Sequence, residues 1–207
     1  MTTLDPGIPA KLEFWFDLGS NYSYLSMMRI EALAERHDVA ISWKPFLLGA
    51  IFKSFGWESS TFVLQKEKGV YTWRDMARQC EKYGLPWTQP SHFPRSALLP
   101  MRVALIGAEQ PWISAFCKRL MQINFVEDQD INHSAVVDVT LTKLGLPAQE
   151  IIVAAQSEDN RRDMRAQTDE ALRRGIFGAP TFFAGTDMFW GNDRLEDALL
   201  LAARKAK

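Results

Sequence analysis

The chain has 207 residues, of which 47% are hydrophobic, and its formal net charge is -1. This length and hydrophobic content suffice for one large domain, with or without an inserted subdomain. The near-neutral charge gives no electrostatic attraction to nucleic acid or to an anionic membrane surface, so we expect a small-molecule partner.

Residues 1–7 lack the basic start and apolar run of a signal peptide, and no later apolar stretch is long enough to cross a bilayer. We therefore expect a cytoplasmic protein. The two cysteines, Cys80 and Cys117, lie far apart, and free buried thiols are their expected state in a reducing compartment. The three histidines are dispersed, so the sequence predicts no metal site.

The N-terminal part of the chain predicts half of a sheet. Residues 12–16 are apolar and aromatic enough for a buried strand, and residues 24–36 carry apolar side chains at helical spacing. Residues 39–43 predict a second strand. This strand, helix and strand predict a βαβ unit whose two strands are parallel.

The polar turn after the first strand contains Ser20 and Ser23, at the first and fourth positions of what would be Cys-x-x-Cys in a thioredoxin-like protein. Because serine cannot form a disulfide, the redox chemistry of that motif is absent. A hydroxyl at a helix N-terminus lies beside unpaired N–H groups, which suits it to hold an anion such as a thiolate. The alternative is that Ser20 only caps the helix.

Residues 50–158 show helical patterns interrupted by Gly, Pro and Asn, with little strand signal, which predicts an inserted helical subdomain. The candidate helices cover residues 72–83, 97–108, 112–126 and 133–144, and residues 158–174 lead back to the sheet domain.

Aromatic and basic residues concentrate at the junction of sheet and insert, where a cleft between domains usually forms. They are Phe52, Lys53, Phe55, Trp57, Phe62, Tyr71 and Trp73. Lys53 and Trp57 are candidate substrate-pocket residues. Arg95 is another, because an arginine at a loop-to-helix boundary can bind a carboxylate through two hydrogen bonds. The alternative is that the aromatic residues are ordinary core and the cations are solvated.

The C-terminal part predicts two short strands, at residues 180–184 and 188–190, joined by a hairpin-like connection, and a final helix at residues 194–204. Asn192 and Asp193 precede that helix, where either residue is ordinarily a cap. A helix start can also bind a carboxylate and Asp193 an ammonium group. Together they suit an amino-acid group such as the γ-glutamyl end of glutathione.

Four spaced segments, which span nearly the whole chain, carry a family resemblance. They are residues 17–25 (DLGSNYSYL), 44–49 (KPFLLG) with 52–53, 177–181 (FGAPT) and 189–194 (FWGNDR). They resemble the 2-hydroxychromene-2-carboxylate isomerases and kappa-class glutathione transferases, which belong to the DsbA-like branch of thioredoxin folds. This resemblance implies an α/β, thioredoxin-like (DsbA-like) sheet domain at residues 11–49 and 159–207, with an inserted all-helical subdomain at residues 50–158.

The resemblance also implies roles for the residues of the matching segments. Ser20 matches the catalytic serine, which hydrogen-bonds the glutathione sulfur and favours its thiolate. Ala179 matches the residue whose backbone pairs with the tripeptide, and it precedes Pro180, which follows a cis peptide bond in such folds. Asn192 and Asp193 match the residues that hold the γ-glutamyl end of glutathione.

Two positions depart from the family pattern. Asn21 stands where many members carry proline, and an Asn near a helix start can bond locally. Trp57 follows Gly56 where kappa-class members carry an asparagine that contacts glutathione. The second departure suggests a different wall to the pocket.

The function implied is a glutathione-dependent isomerase that acts on an aromatic or other conjugated carbonyl acid by reversible thiolate addition, with homodimerisation as in many relatives. One alternative is a glutathione transferase or peroxidase, in which the same thiolate attacks another electrophile. The other is a non-catalytic module that binds a thiol peptide. Isomerisation regenerates glutathione, conjugation consumes it, and a binding module turns over no electrophile.

Overall fold

Four strands form one mixed sheet in the order β2-β1-β3-β4. The structure, a computed structural model, describes residues 10–205. The strands are β1 (Ala10–Phe16), β2 (Val39–Pro45), β3 (Thr181–Ala184) and β4 (Asp187–Trp190). β1 and β2 are parallel, whereas β3 pairs antiparallel with both β1 and β4. The predicted βαβ unit and the predicted hairpin are therefore confirmed.

Helices make up most of the remaining structure. They are α1 (Asn21–Arg36), α2 (Leu48–Ser54), α3 (Thr61–Leu64), α4 (Lys66–Tyr83), α5 (Leu98–Ile106), α6 (Ile113–Phe125), α7 (Ser134–Lys143), α8 (Ala148–Gln156), α9 (Glu158–Arg173) and α10 (Leu195–Lys205). A 3₁₀ turn, Asn192–Arg194, precedes α10. The sequence patterns did not predict α2, α3 or α8; α2 and α3, with seven and four residues, are too short to show a clear helical period.

Strand β1 is buried on both faces of the sheet. Leu12, Phe14 and Phe16 are fully buried in the larger core, while Trp15 points to the other face and packs with Phe46. Burial of each such side chain stabilises the fold by about 1.5–3 kcal/mol. The two-sided burial explains the almost continuous apolar run, which ends at the polar turn carrying Ser20.

Helices α2 to α8 lie between β2 and α9 along the chain. The division at residues 49/50 and 158/159 stays a prediction; α2 crosses the first boundary, and α9 begins one residue before the second. Cys80 and Cys117 are free and buried, as predicted.

The sequence predicts that the chain has no signal peptide, no membrane-spanning helix and no metal site. Residues 1–7, on which the signal-peptide prediction depends, lie outside the described residues. Between residues 10 and 205, no helix is both long enough and apolar enough to cross a membrane. The same range contains no cluster of three His, Cys, Asp or Glu side chains suited to a metal ion.

Candidate active site

The turn between β1 and α1 is fixed by hydrogen bonds from its own side chains. Ser20 is the N-cap of α1, and its Oγ accepts a hydrogen bond from the N–H of Ser23 at 3.2 Å. The Asp17 carboxylate accepts one from the N–H of Gly19 at 2.7 Å and one from that of Leu48 at 2.9 Å. Burial raises the pKa of Asp17, although these two N–H groups act to lower it.

The Ser20 hydroxyl also reaches a distant segment of the chain. It donates a hydrogen bond to the carbonyl oxygen of Ala179 at 3.0 Å. The Ala179–Pro180 peptide bond is cis, as expected from the resemblance. Ser20 is only 7% exposed. The cap and the proximity to the proline loop are therefore two properties of one side chain, not alternatives.

Two glycines bring the end of β4 against the proline loop. Gly191 has a φ of +106°, a conformation that favours glycine, and its N–H donates to the Pro180 carbonyl at 2.9 Å. Gly178 is covered by the Trp190 indole, which a Cβ at that position would strike. The close approach therefore requires glycine at both positions.

Asn192 joins this turn to α1. Its Oδ1 accepts hydrogen bonds from Ser26 Oγ at 3.2 Å and from Arg29 Nη1 at 3.1 Å. Asp193 is exposed and pairs with Arg194 at 2.9 Å. The Asn192 side chain does not cap the 3₁₀ turn, whose N-cap is Gly191 without a side-chain bond. Asn192 thus holds the turn in place, and Asp193 remains accessible.

One cavity of about 1290 Å³ connects most of the predicted site residues. Those that line it are Ser20, Ala179, Asn192, Asp193, Lys53, Trp57 and Arg95. Pro180 is buried directly behind Ala179. The structure therefore brings the serine turn, the proline loop, the β4–α10 turn and the segments around α2 and before α5 to a single cleft.

Aromatic pairs form two walls of this cavity. Trp57 packs against Phe52 with ring centroids 5.6 Å apart, and Phe177 packs against Trp190 at 4.8 Å. Lys53 is exposed and lies beside the first pair. A cation and two aromatic pairs in one cavity provide contacts suited to an aromatic acid.

Arg95 has partners that its sequence position did not indicate. Its side chain is only 7% exposed, and it forms an ion pair with Asp128 and hydrogen bonds with Asn124. The N–H of Ser91, followed by Arg95, lowers the pKa of Asp128 to about 2. A substrate role for Arg95 stays a prediction, and it requires the guanidinium to leave a bond network that already fixes the loop.

A tyrosine–carboxylate pair in the cavity was missed by sequence reasoning. The Tyr22 hydroxyl donates to Asp75 Oδ2 at 2.7 Å. Burial first, and then the Asp75 carboxylate, raise the pKa of Tyr22, so the phenol stays protonated. The two residues are 53 positions apart, and no sequence pattern connected them.

The residues around Ser20 fit a thiol ligand. Asn21 lines the cavity, its Oδ1 accepts from the N–H of Tyr22 at 3.0 Å, and its Nδ2 is buried without a hydrogen-bond partner. The local bond is the one expected for an Asn in place of proline. The Ser20 hydroxyl, at the N-terminus of α1, suits an anionic sulfur.

A family model described as a DSBA-like thioredoxin domain matches residues 11–200. The chain belongs to this DSBA-like family. A 2-hydroxychromene-2-carboxylate isomerase from Sphingobium xenophagum is 29% identical over 190 residues, covering 89% of this chain and 94% of the relative. Glutathione S-transferase kappa 1 from Rattus norvegicus is 25% identical over 211 residues, covering 95% and 92%. The resemblance found in the sequence is thereby confirmed.

Solved structures confirm the thioredoxin-like fold of this DSBA-like chain. A 2-hydroxychromene-2-carboxylate isomerase matches with a TM-score of 0.83 and 24% identity, over 94% of this chain and 97% of that one. The cytosolic disulfide reductase DsbM from Pseudomonas aeruginosa, in a structure with GSH, matches with a TM-score of 0.63 and 16% identity, over 94% and 96%.

Proposed function

We propose that this protein is a glutathione-dependent isomerase of the 2-hydroxychromene-2-carboxylate type. The observation that carries the proposal is the single cavity that links the Ser20 hydroxyl with the turn carrying Asn192 and Asp193. The Ser20 hydroxyl and the exposed Asp193 carboxylate match two groups of glutathione, the thiol of its central cysteine and the ammonium of its γ-glutamyl residue. The isomerase from Sphingobium xenophagum supports the reaction type.

Five residues would hold glutathione, and Pro180 would contribute by orienting the Ala179 backbone. Ser20 would contact the sulfur, the Ala179 backbone would pair with the peptide, and Asn192 with Asp193 would bind the γ-glutamyl group. When bound, glutathione supplies a thiolate that can add reversibly to an unsaturated carbon and so permit rotation about a former double bond.

The Ser20 hydroxyl can donate only one hydrogen bond, and in this structure it donates that bond to the Ala179 carbonyl. A hydrogen bond to a charged acceptor is roughly twice as strong as one to a neutral acceptor. We therefore infer that the hydroxyl turns from the carbonyl to an anionic sulfur while it continues to accept from Ser23. This donation lowers the pKa of the thiol and raises the reactive fraction at neutral pH.

The substrate would be an aromatic or conjugated carbonyl acid. Lys53 supplies a positive charge for its carboxylate, and the Phe52–Trp57 pair supplies a flat apolar surface. The Tyr22 hydroxyl donates its only proton to the Asp75 carboxylate, so its oxygen can accept a hydrogen bond from a substrate hydroxyl in the same cavity. The carboxylate of Asp75 is in position to accept from Tyr22 and fix its orientation.

A glutathione transferase or peroxidase is the second candidate, and the similarity to the rat kappa enzyme favours it. Both functions use the same residues to hold glutathione and differ in the fate of the sulfur.

We also propose that the protein is a homodimer and is located in the cytoplasm. The two free, buried cysteines are compatible with a reducing compartment.

The test is the rate of isomerisation of 2-hydroxychromene-2-carboxylate with three additions: none, glutathione, and S-methylglutathione. S-methylglutathione keeps the tripeptide but lacks the free thiol. We expect turnover with glutathione alone. Equal rates under all three conditions would refute dependence on the thiol, whereas binding of glutathione without turnover would indicate a binding module.

A further inference from the structure

A second cavity, of about 570 Å³, lies between α5 and α9. Leu47 and Ala50 line both cavities, so the two cavities adjoin at the start of α2. Its charged lining consists of Arg102, Arg161, Arg162 and Arg165 with the carboxylates Glu158 and Asp169. We call it the arginine groove. Four cations and two anions give its lining an excess of positive charge.

Local ion pairs leave part of this charge uncompensated. Arg161 pairs with Glu158 at 2.7 Å, and Arg162 pairs with Asp159 at 2.9 Å. Within residues 10–205, Arg102 and Arg165 form no ion pair. Arg161 also lies in the first turn of α9, where the positive end of the helix dipole disfavours a cation.

Arg102 is the most constrained member of the groove. Its Nε is buried and has no hydrogen-bond partner in the described structure. Burial, and then the like charge of Arg161, lower the pKa of Arg102. The main-chain carbonyl of Arg102 accepts a hydrogen bond from Asn160 Nδ2 at 3.3 Å, which ties the start of α9 to α5. One hydrogen bond thus joins the two helices that line the groove, and a buried donor of the lining residue Arg102 stays unsatisfied.

We propose that the arginine groove binds a small organic anion with a carboxylate or phosphate headgroup and a short apolar body. Guanidinium groups match both headgroups because their planar N–H donors can bond two oxygens at once. The side chains of Leu47 and Met164 provide apolar contact for the body of the ligand. The anion also removes the repulsion among the arginines. This inference is independent of the proposed function.

The test is calorimetric titration with benzoate and with phenyl phosphate, at an ionic strength held constant with chloride. We expect saturable binding of one ligand per chain. The ligand with the lower Kd identifies the preferred headgroup. Arg102→Gln and Arg165→Gln should each weaken binding about tenfold or more, because each removes hydrogen bonds between charged groups. Arg165 is exposed, so its substitution should leave the fold intact even if Arg102→Gln does not fold.

Two control variants make the result specific. Arg173→Gln removes an exposed arginine of the same helix that pairs with Glu170 outside the groove, and it should bind both ligands like the original protein. Lys53→Gln removes a cation that lines only the larger cavity, so any weakening that it causes reports binding there and not in the arginine groove. Absence of saturable binding, equal weakening by Arg173→Gln, or weakening by Lys53→Gln with Arg165→Gln unaffected would overturn the proposal.

Discussion

The Ser20 hydroxyl donates a hydrogen bond to the Ala179 carbonyl at 3.0 Å, although 159 positions separate the two residues. This bond joins the first turn of α1 to the loop before β3. The same oxygen caps α1 by accepting from Ser23. A substitution at Ser20 therefore changes helix stability and the site together, and its effects can be separated only with a matched capping control.

Ser20→Ala should lower kcat at saturating glutathione by about one to two orders of magnitude, because it removes a hydrogen bond to a charged group. Ser157→Ala is the control. Ser157 caps α9, accepts from Asn160 at 3.2 Å and donates to the Ala154 carbonyl at 2.7 Å, so it forms the same pair of bonds outside the larger cavity. Each variant should lose about 1 kcal/mol of free energy of unfolding. If kcat fell equally in both, Ser20 would have no specific role.

Asp193→Ala should raise the KM for glutathione roughly two- to fivefold with little change in kcat. An ammonium contact away from the sulfur acts equally in ground and transition states, and an exposed ion pair is worth about 1 kcal/mol or less. Asp197→Ala is the control, since Asp197 also pairs with Arg194, at 3.0 Å, but does not line the cavity. Steady-state kinetics with calorimetric titration of glutathione would measure the effect. An identical rise in the KM for glutathione in both variants would indicate that loss of an ion pair with Arg194, and not of a contact between Asp193 and glutathione, causes the effect.

Lys53→Gln should raise the KM for the acidic substrate about two- to fivefold, as expected for loss of one exposed ion pair, and leave the KM for glutathione unchanged. Lys66→Gln removes an exposed lysine that does not line the cavity and should have no effect. The measurement is the substrate dependence of the initial rate at constant ionic strength. A rise in the glutathione KM alone would place Lys53 in the cofactor site instead.

Asp17 should make the stability of the protein depend on pH. Its folded-state pKa is raised above the ordinary value of 3.8, so the folded state binds its proton more tightly than the unfolded state does. The free energy of unfolding, relative to that of Asp17→Asn, should therefore fall as the pH rises from 3.8 to the raised value, and then stay constant. Urea unfolding of both proteins across this range measures the difference. A relative stability that rises with pH would show that the two N–H bonds outweigh burial.

The sequence predicted β1, α1, the proline loop and the β3–β4 hairpin because each has a strong local signal. The apolar run of β1 is continuous, and the proline and glycines mark the turns around residues 178–191. These elements also position Ser20 and Asn192. Local sequence patterns and the family resemblance were therefore enough to predict that these two residues belong to the candidate site.

The remaining contacts of the site depend on tertiary packing. Tyr22 meets Asp75 only because α4 packs beside α1, and Arg95 meets Asp128 only after the chain returns through α6. An arginine at a helix start has the same sequence signature whether it binds a ligand or a neighbouring loop. The donation from Ser20 to Ala179 likewise involves a backbone carbonyl, which carries no sequence signal.

The central claim is that glutathione acts catalytically, so the most direct measurement is a thiol balance during turnover of 2-hydroxychromene-2-carboxylate. The enzyme would receive glutathione at a small fraction of the substrate concentration. Isomer would be quantified by chromatography and free thiol by colorimetric titration in the same samples. We predict many equivalents of isomer per glutathione and an unchanged amount of free thiol. Loss of one thiol for each product formed would contradict isomerisation and identify a transferase.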